Sequence, residues 1–359
     1  MSITDILAAL GVLFDSLPQG LLAMAYGFAA LPTAIGFGIG ALLCLFFQLP
    51  TPVSFQAETT ILAGGLGNNT RERISIIIFA GIAMLILGIT GALSGIIGFI
   101  GQDILNGMLA GVGIILVKAS LDLLKSNLAA GITSFATAVP IFLFVHNLIY
   151  ACVCSVILGA AAFHIMRYIQ KKNGQELVDE KYQTDERIQF LKPIYNHRIL
   201  RGALAVIMLQ IGGNISYGTI TANMAHAAVD VDKLSIVGGM ATATSGLFGG
   251  APLASIISAT GTAPHPVTSA VLLMALAAIV IGSSLFYKFG KLVPVGAVGG
   301  YLFVLGAILV FPPYAASAMT GDNPLVSGIT AVMTAVTDPF IGMLCGVGMR
   351  FILAFAGAA

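Results

Sequence analysis

Phe47-Gln48-Leu49-Pro50-Thr51-Pro52-Val53-Ser54-Phe55-Gln56-Ala57-Glu58 puts two prolines, a polar run and a carboxylate where a hydrophobic helix is due to continue. In the second half of the chain a similar stretch answers it, Leu247-Phe248-Gly249-Gly250-Ala251-Pro252-Leu253-Ala254-Ser255-Ile256-Ile257-Ser258. Each follows a short apolar segment rich in small residues and breaks it with Pro or Gly. Interrupted hydrophobic segments at corresponding places in two halves mark a binding site built from broken helices.

The surroundings of these stretches are nearly all membrane. The chain has 359 residues, 58% hydrophobic and only 9% charged, with a mean hydropathy of +0.99. Soluble domains carry roughly 25% charged residues, so the composition defines a polytopic membrane protein. The 43 glycines fit this, because small residues let membrane helices approach closely. A net charge of +1 gives no nucleic-acid partner. Cys44, Cys152, Cys154 and Cys345 are scattered in apolar runs, with neither a metal-binding spacing nor a disulfide framework. The N-terminal Met1-Ser2-Ile3-Thr4-Asp5 lacks the basic start of a signal peptide.

Residues 1–171 read as seven elements: 5–31, 33–48, the broken segment 50–66, 73–100, 102–124, 129–147 and 148–169. The broken segment is too short in apolar residues to span a bilayer, which takes about 20 in a helix. Residues 172–199 are a charged, soluble connector. Residues 200–359 repeat the grammar as 200–226, 234–248, the broken 250–263, 266–287, 292–312, 324–337 and 339–357. An odd number of elements per half inserts the halves upside down relative to each other, as in inverted-repeat transporters. The predicted fold class is therefore an all-α polytopic membrane protein of 14 elements in a 7+7 inverted repeat. Arg71, Arg73, Lys125, the connector bases, Lys288 and Lys291 fall on one side, while Asp5, Asp103, Asp230, Asp232 and Asp322 fall on the other. The positive-inside rule then predicts a cytoplasmic connector and both termini outside, in a cell membrane.

Glu58 is the most informative single residue. A carboxylate within the membrane costs roughly 2.5–3.5 kcal/mol on insertion scales, so it faces a cavity or a partner. It either binds substrate or exchanges a proton or Na+, or it pairs structurally with Lys118. Phe55 offers a face for a planar ring and Gln56 a donor and an acceptor. Ser255 and Ser258 supply hydroxyls in the second stretch. Half-helices starting near Pro52 and Pro252 would point their N-termini at an anionic or electron-rich ligand atom. Gln210, Asn214 and Tyr217 recur at i, i+4 and i+7, which places them on one helix face; they line a site or bond between helices. Lys118 and Asp122 have i, i+4 spacing and can pair with each other. His146 and His164 lie at span ends, and His265 sits in a Pro-His-Pro turn. No P-loop, zinc spacing or Ser-His-Asp order is present, so neither an enzyme, a metal nor a cofactor is expected.

Several runs resemble the nucleobase–cation symporter family, which includes the xanthine/uracil and hypoxanthine/guanine permeases. They are Gln19 with Ala23-Met24 and Leu31-Pro32, Gly38 to Phe46, Thr221-Ala222-Asn223, Ser245 to Pro252, Gly328 to Thr334 and Asp338 to Met343. The resemblance implies a core domain and a gate domain, each drawn from both repeats, with substrate between the third and tenth elements. It also implies a homodimer through the gate domain. Family carboxylates on the eighth and tenth elements map onto Gly213 and Ser258, so both are missing here. The expected function is secondary active transport of a small planar or anionic solute, led by a nucleobase or related heterocycle, with proton or Na+ coupling. Two alternatives stay open: a carboxylate or inorganic-anion transporter on the same fold, and a non-transporting membrane receptor or scaffold.

Overall fold

The computed structural model describes residues 1–173, 188–283, 286, 288 and 292–356. The first half contains α1 (Ile3–Ala25), α2 (Ala30–Phe47), the short strand β1 (Val53–Phe55) and α3 (Ala57–Leu66). It continues with α4 (Thr70–Thr90), α5 (Leu93–Ile100), α6 (Gln102–Ser126), α7 (Leu128–Val145) and α8 (Leu148–Lys172). The second half holds α9 (His197–Met224), α10 (Val231–Leu247), the strand β2 (Leu253–Ser255) and α11 (Pro266–Gly282). It closes with α12 (Val295–Thr320), α13 (Pro324–Val336) and α14 (Pro339–Phe355). Eight of the described helices, α1, α2, α4, α6, α7, α8, α9 and α12, are long and apolar enough to cross a membrane. This is a multi-pass membrane protein.

The helices form two bodies. One packs α1, α2, α3, α4, α9, α10 and α11 together; the other packs α6, α7, α8, α12, α13 and α14. Both bodies draw on both halves of the chain. In the first, α4 and α10 cross at glycines. A Cβ on Gly81 would lie 2.8 Å from the Gly239 carbonyl oxygen, and one on Gly239 would lie 2.7 Å from the Gly81 carbonyl oxygen. Without side chains there, backbone packs on backbone, which is how apolar helices associate when lipid is as apolar as they are.

The two broken stretches meet as an antiparallel pair, with Val53 opposite Ser255, Ser54 opposite Ala254 and Phe55 opposite Leu253. Irregular backbone at membrane depth is tolerated only where its polar groups are satisfied. Hydroxyls complete that work here. Thr242 Oγ1 donates to the Leu253 carbonyl at 2.6 Å, Ser245 Oγ donates to the Ala251 carbonyl at 2.6 Å, and the Ala251 N–H donates to Thr33 Oγ1 at 2.8 Å.

Three boundaries differ from the sequence reading. The first break falls at Tyr26–Ala29, with Gly27 at φ +87°, and not at Pro32. Pro32 is accommodated in the first turn of α2, where its missing N–H is not needed. The span expected over 73–100 is cut at Gly91, whose φ of +65° caps α4 and separates α5. No half-helix begins at either proline. After Pro52 comes β1, and α3 starts only at Ala57; after Pro252 comes β2 and then a single 3₁₀ turn, Ala259–Thr262. The strand pairing holds both stretches extended past their prolines.

Contacts sort the loops into two ends. At one end Arg73 Nη1 donates to the Tyr26 carbonyl (2.6 Å), Arg201 Nε donates to Asp338 Oδ2 (2.7 Å), and the connector residue Ile194 donates its N–H to Ser75 Oγ (3.0 Å). At the opposite end His265 bonds Asp5, the Asn323 N–H donates to Asp103, and Arg350 donates to the Phe99 and Ile100 carbonyls. Half of the connector expected at 172–199 (residues 174–187) lies outside the described residues.

Candidate functional site

A cavity of about 380 Å³ lies on the seam between the two bodies. One wall comes from the first body: Asp15 and Gln19 of α1, Gln56 and Glu58 around the start of α3, Tyr217 and Ile220 of α9, and Ile256 and Ile257 beyond β2. The other comes from Leu148 of α8 and from α12, which presents Tyr301, Leu305, Leu309, Val310, Pro313, Tyr314 and Ser317. The lining runs from Gln19 and Tyr301 at mid-depth to the exposed Ser317 and half-buried Leu148 at the end that holds the termini. At the connector end an ion pair between Arg201 of α9 and Asp338 of α14, at 2.6 Å, bridges the two bodies.

Local sequence explains the shape of both walls. Residues Leu305–Val310 of α12 adopt a π-helical stretch, just before Pro312 and Pro313. Proline has no N–H to return to the carbonyl four residues back, so the ladder widens there. Such π segments recur at functional sites. On the facing wall α3 begins within the buried interior, and the N–H groups of its first turn have no partner within the helix. Gln19 meets one of them: its Oε1 accepts the Ala57 N–H at 2.9 Å. Its Nε2 then donates to the Tyr301 hydroxyl at 2.8 Å. One amide thus ties the start of α3 to the opposite body. Gln56 Nε2 donates to the Ser255 carbonyl at 3.3 Å, and Gln56 Oε1 accepts from the Thr59 hydroxyl.

Glu58, only 5% exposed, accepts a hydrogen bond from the Tyr217 hydroxyl at 3.2 Å. The structural alternative with Lys118 is not realised, and Asp122 pairs with Lys125 at 3.3 Å instead of with Lys118. The polar stripe of α9 is buried throughout, but its members do different things. Tyr217 reaches the cavity, Asn214 Nδ2 donates to Ser235 Oγ of α10 at 2.7 Å, and Gln210 is buried with Nε2 unbonded. Phe55 is 1% exposed, edge-on to Phe37 at 5.2 Å and stacked on Phe286 at 6.3 Å, so its faces are spent on the core. Ser255 is buried, with an unbonded hydroxyl. Ser258 caps the 3₁₀ turn by accepting the Thr260 N–H at 3.2 Å. Of the eight residues singled out in the sequence, Gln56, Glu58 and Tyr217 line the cavity; the other five are buried near it without lining it.

Sequence reading passed over Asp15 as a site residue, along with Tyr301 and Tyr314, and met Gln19 only within a motif. Asp15 and Gln19 are polar at i, i+4 in a mainly apolar helix, the same signal that singled out the α9 stripe. Beside Gln56, the Gly213 position is open: a Cβ there would sit 3.5 Å from Gln56 Nε2, at ordinary contact distance.

The architecture is that of a core-and-gate membrane protein built as an inverted repeat. It is similar to the transmembrane domain of a cyanobacterial bicarbonate transporter, BicA, with a TM-score of 0.68 at 16% identity over 96% of this chain and 97% of that one. It is similar also to murine Solute Carrier 26 family member A9, an anion transporter in its inward-facing state, with a TM-score of 0.67 at 16% identity. There the match covers 99% of this chain and 68% of the other. A further SLC26A9 structure gives 0.70 at 14% identity over 99% of this chain and 65% of that one. No family model and no curated protein matches the chain. These likenesses correct the assignment to the nucleobase permeases. The motifs that suggested it belong to a shared fold, the matched structures are anion transporters, and a nucleobase substrate is left without support.

Proposed function

We propose that the chain is a secondary transporter of a small inorganic anion or carboxylate, working by alternating access between its core and gate bodies. The cavity is the observation that carries this reading. It is sized for a small solute, lies on the seam between the bodies, is lined by Gln56 and Glu58 at the N-terminal turn of α3, and reaches exposed residues at the end that holds the termini. A helix N-terminus in a desolvated site favours negative charge. Structures similar to this one include a bicarbonate transporter and an anion transporter, which agrees with transport and not with enzymatic chemistry. Glu58 sits in the first turn of α3 and offsets that positive end, so the reading gives it a part in coupling: its charge sets how readily the site takes up a proton or Na+ with the anion.

Uptake of radiolabelled chloride, sulfate and bicarbonate into proteoliposomes, at acidic and neutral pH, tests the proposal. Saturable uptake of at least one anion is expected, with a pH or Na+ dependence that Glu58→Gln flattens. Absence of uptake for all three would overturn the transport reading. An unchanged dependence in Glu58→Gln would remove Glu58 from coupling and leave transport standing.

A further inference from the structure

The cavity holds two carboxylates, Asp15 and Glu58, and among the described residues no Lys, Arg or His lines it. Glu58 is bonded to Tyr217, whereas Asp15 has a fully buried Oδ1 with no hydrogen-bond partner. The hydrogen bonds of Gln19 decide a further donor. Its Oε1 is fixed on the Ala57 N–H, so its Nε2 must be what reaches the Tyr301 oxygen. Tyr301 therefore accepts that bond, and its own O–H proton remains to be donated. The residue is 0% exposed to solvent, yet its side chain lines the cavity. A buried hydroxyl with an unspent proton and a buried carboxylate oxygen with no donor thus share one cavity. Tyrosine hydroxyls have both capacities, whereas an ionised carboxylate only accepts and its acid form also donates.

An anion brought beside ionised Asp15 is repelled in a low-dielectric space. If Asp15 first takes a proton from the open side, the repulsion is removed and the carboxylic acid becomes a donor. We propose that Asp15, in its acid form, and the Tyr301 hydroxyl together hold the transported anion, so that each anion crosses with a proton carried by Asp15. This rests on the transport reading above and deepens it. The proton enters from the open side, stays on Asp15 while the anion is bound, and leaves with it on the other side, so Asp15 returns ionised. Leu, Ile, Val and Pro make up half of the lining, and the amide oxygens of Gln19 and Gln56 are already bonded, which favours a proton over a coordinated metal ion. The other titratable groups facing Asp15 are Glu58 of α3, Tyr217 of α9, Tyr301 and Tyr314 of α12, and the buried Cys152 thiol of α8.

The test uses the full chain in proteoliposomes loaded with a pH-sensitive dye, with chloride, sulfate and oxalate as probes. Wild-type protein is expected to acidify the lumen in step with anion uptake. Asp15→Asn should retain uptake, because an amide still donates, while proton movement per anion falls to about a tenth or less and the pH profile flattens. Tyr301→Phe should raise KM about tenfold, the effect of one lost hydrogen bond to a charged partner, with coupling intact. Wild-type proton movement per anion in Asp15→Asn would overturn the proposal. If Asp15→Asn does not fold, Asp15→Glu should keep coupling with a displaced pH profile, and an unchanged KM in Tyr301→Phe would then be decisive against the site. A wild-type chain that moves these anions without protons sinks the inference alone; one that moves none of them sinks the transport reading and the inference with it.

Discussion

The Tyr217 hydroxyl stands 3.2 Å from Glu58 Oε1 and is its one side-chain hydrogen-bond donor among the described residues, joining the last third of α9 to the first turn of α3. The two residues therefore predict opposite effects on stability. Tyr217→Phe leaves a buried carboxyl without its donor, a loss of about 1.5–3 kcal/mol for a hydrogen bond to a charged group. Glu58→Gln keeps an oxygen for Tyr217 to bond and removes a buried charge. Thermal unfolding of purified protein should show a lower midpoint for Tyr217→Phe and an equal or higher one for Glu58→Gln. An undisturbed midpoint in Tyr217→Phe would mean that the bond contributes nothing.

Arg201 and Asp338 join the two bodies at the connector end. Asp338 is fully buried and also caps α14 by accepting the Ile341 N–H at 3.0 Å. Arg201→Gln strands a buried carboxylate; since the Arg201 side chain is 43% exposed, screening limits the loss to about 1–2 kcal/mol. Asp338→Asn frees the arginine instead and keeps a side-chain oxygen for the cap. The double substitution removes both charges and should cost less than the two singles added together. A double-mutant cycle on the unfolding midpoint measures this coupling, and strict additivity would mean that the pair does not hold the bodies together.

The two prolines and Glu58 of the first broken stretch, with the matching Pro252, made the repeat, the element order and the neighbourhood of the site legible in the sequence. Composition alone gave the membrane class. What stayed hidden depended on pairing across long separations. Nothing local in Val53-Ser54-Phe55 says that it will bond to Leu253-Ala254-Ser255, yet that pairing displaces the expected half-helix at Pro252. Similarly, Phe55 reads as an available aromatic face until Phe37 and Phe286 arrive to occupy it. Tyr301 lies far along the chain from Gln19 and becomes a site residue only once α12 lies against α1. The family motifs misled about substrate because Gly40 serves close packing and Gly249, at φ +90°, chain breaking, which the fold needs whatever it carries.

The crossing of α4 and α10 predicts which glycines the fold requires. A Cβ at Gly81 would meet the Ala243 nitrogen at 2.7 Å, and one at Gly239 would meet the Leu85 nitrogen at 2.6 Å. Both obstacles are backbone and cannot swing aside, so the helices would have to part. At Gly328 of α13 a Cβ meets nothing within 4 Å, and alanine is the better helix former by about 1 kcal/mol. Gly81→Ala and Gly239→Ala should each cut the yield of monodisperse protein on size exclusion, while Gly328→Ala should leave it unchanged or raise it. Normal yields for the first two would show that the helices can separate at little cost.

The distribution of bases predicts the orientation in the membrane. Arg71, Arg73, Lys125, Lys171, Lys172, Lys192, Arg198 and Arg201 gather at the connector end, against Lys233 and Arg350 at the end holding the termini. Short cytoplasmic loops carry such an excess, so the connector end should be cytoplasmic and the cavity should open to the outside in this conformation. In a cysteine-free background, Asp322→Cys should react with a membrane-impermeant maleimide on intact cells, because Asp322 is exposed at the termini end. Asn68→Cys, exposed at the connector end, should react only after permeabilisation. Ile257→Cys separates orientation from conformation: Ile257 is 47% exposed at the cavity wall, and its labelling on intact cells should fall when transported anion is added. The reverse pattern at positions 322 and 68 would invert the molecule and make the open side of the cavity cytoplasmic.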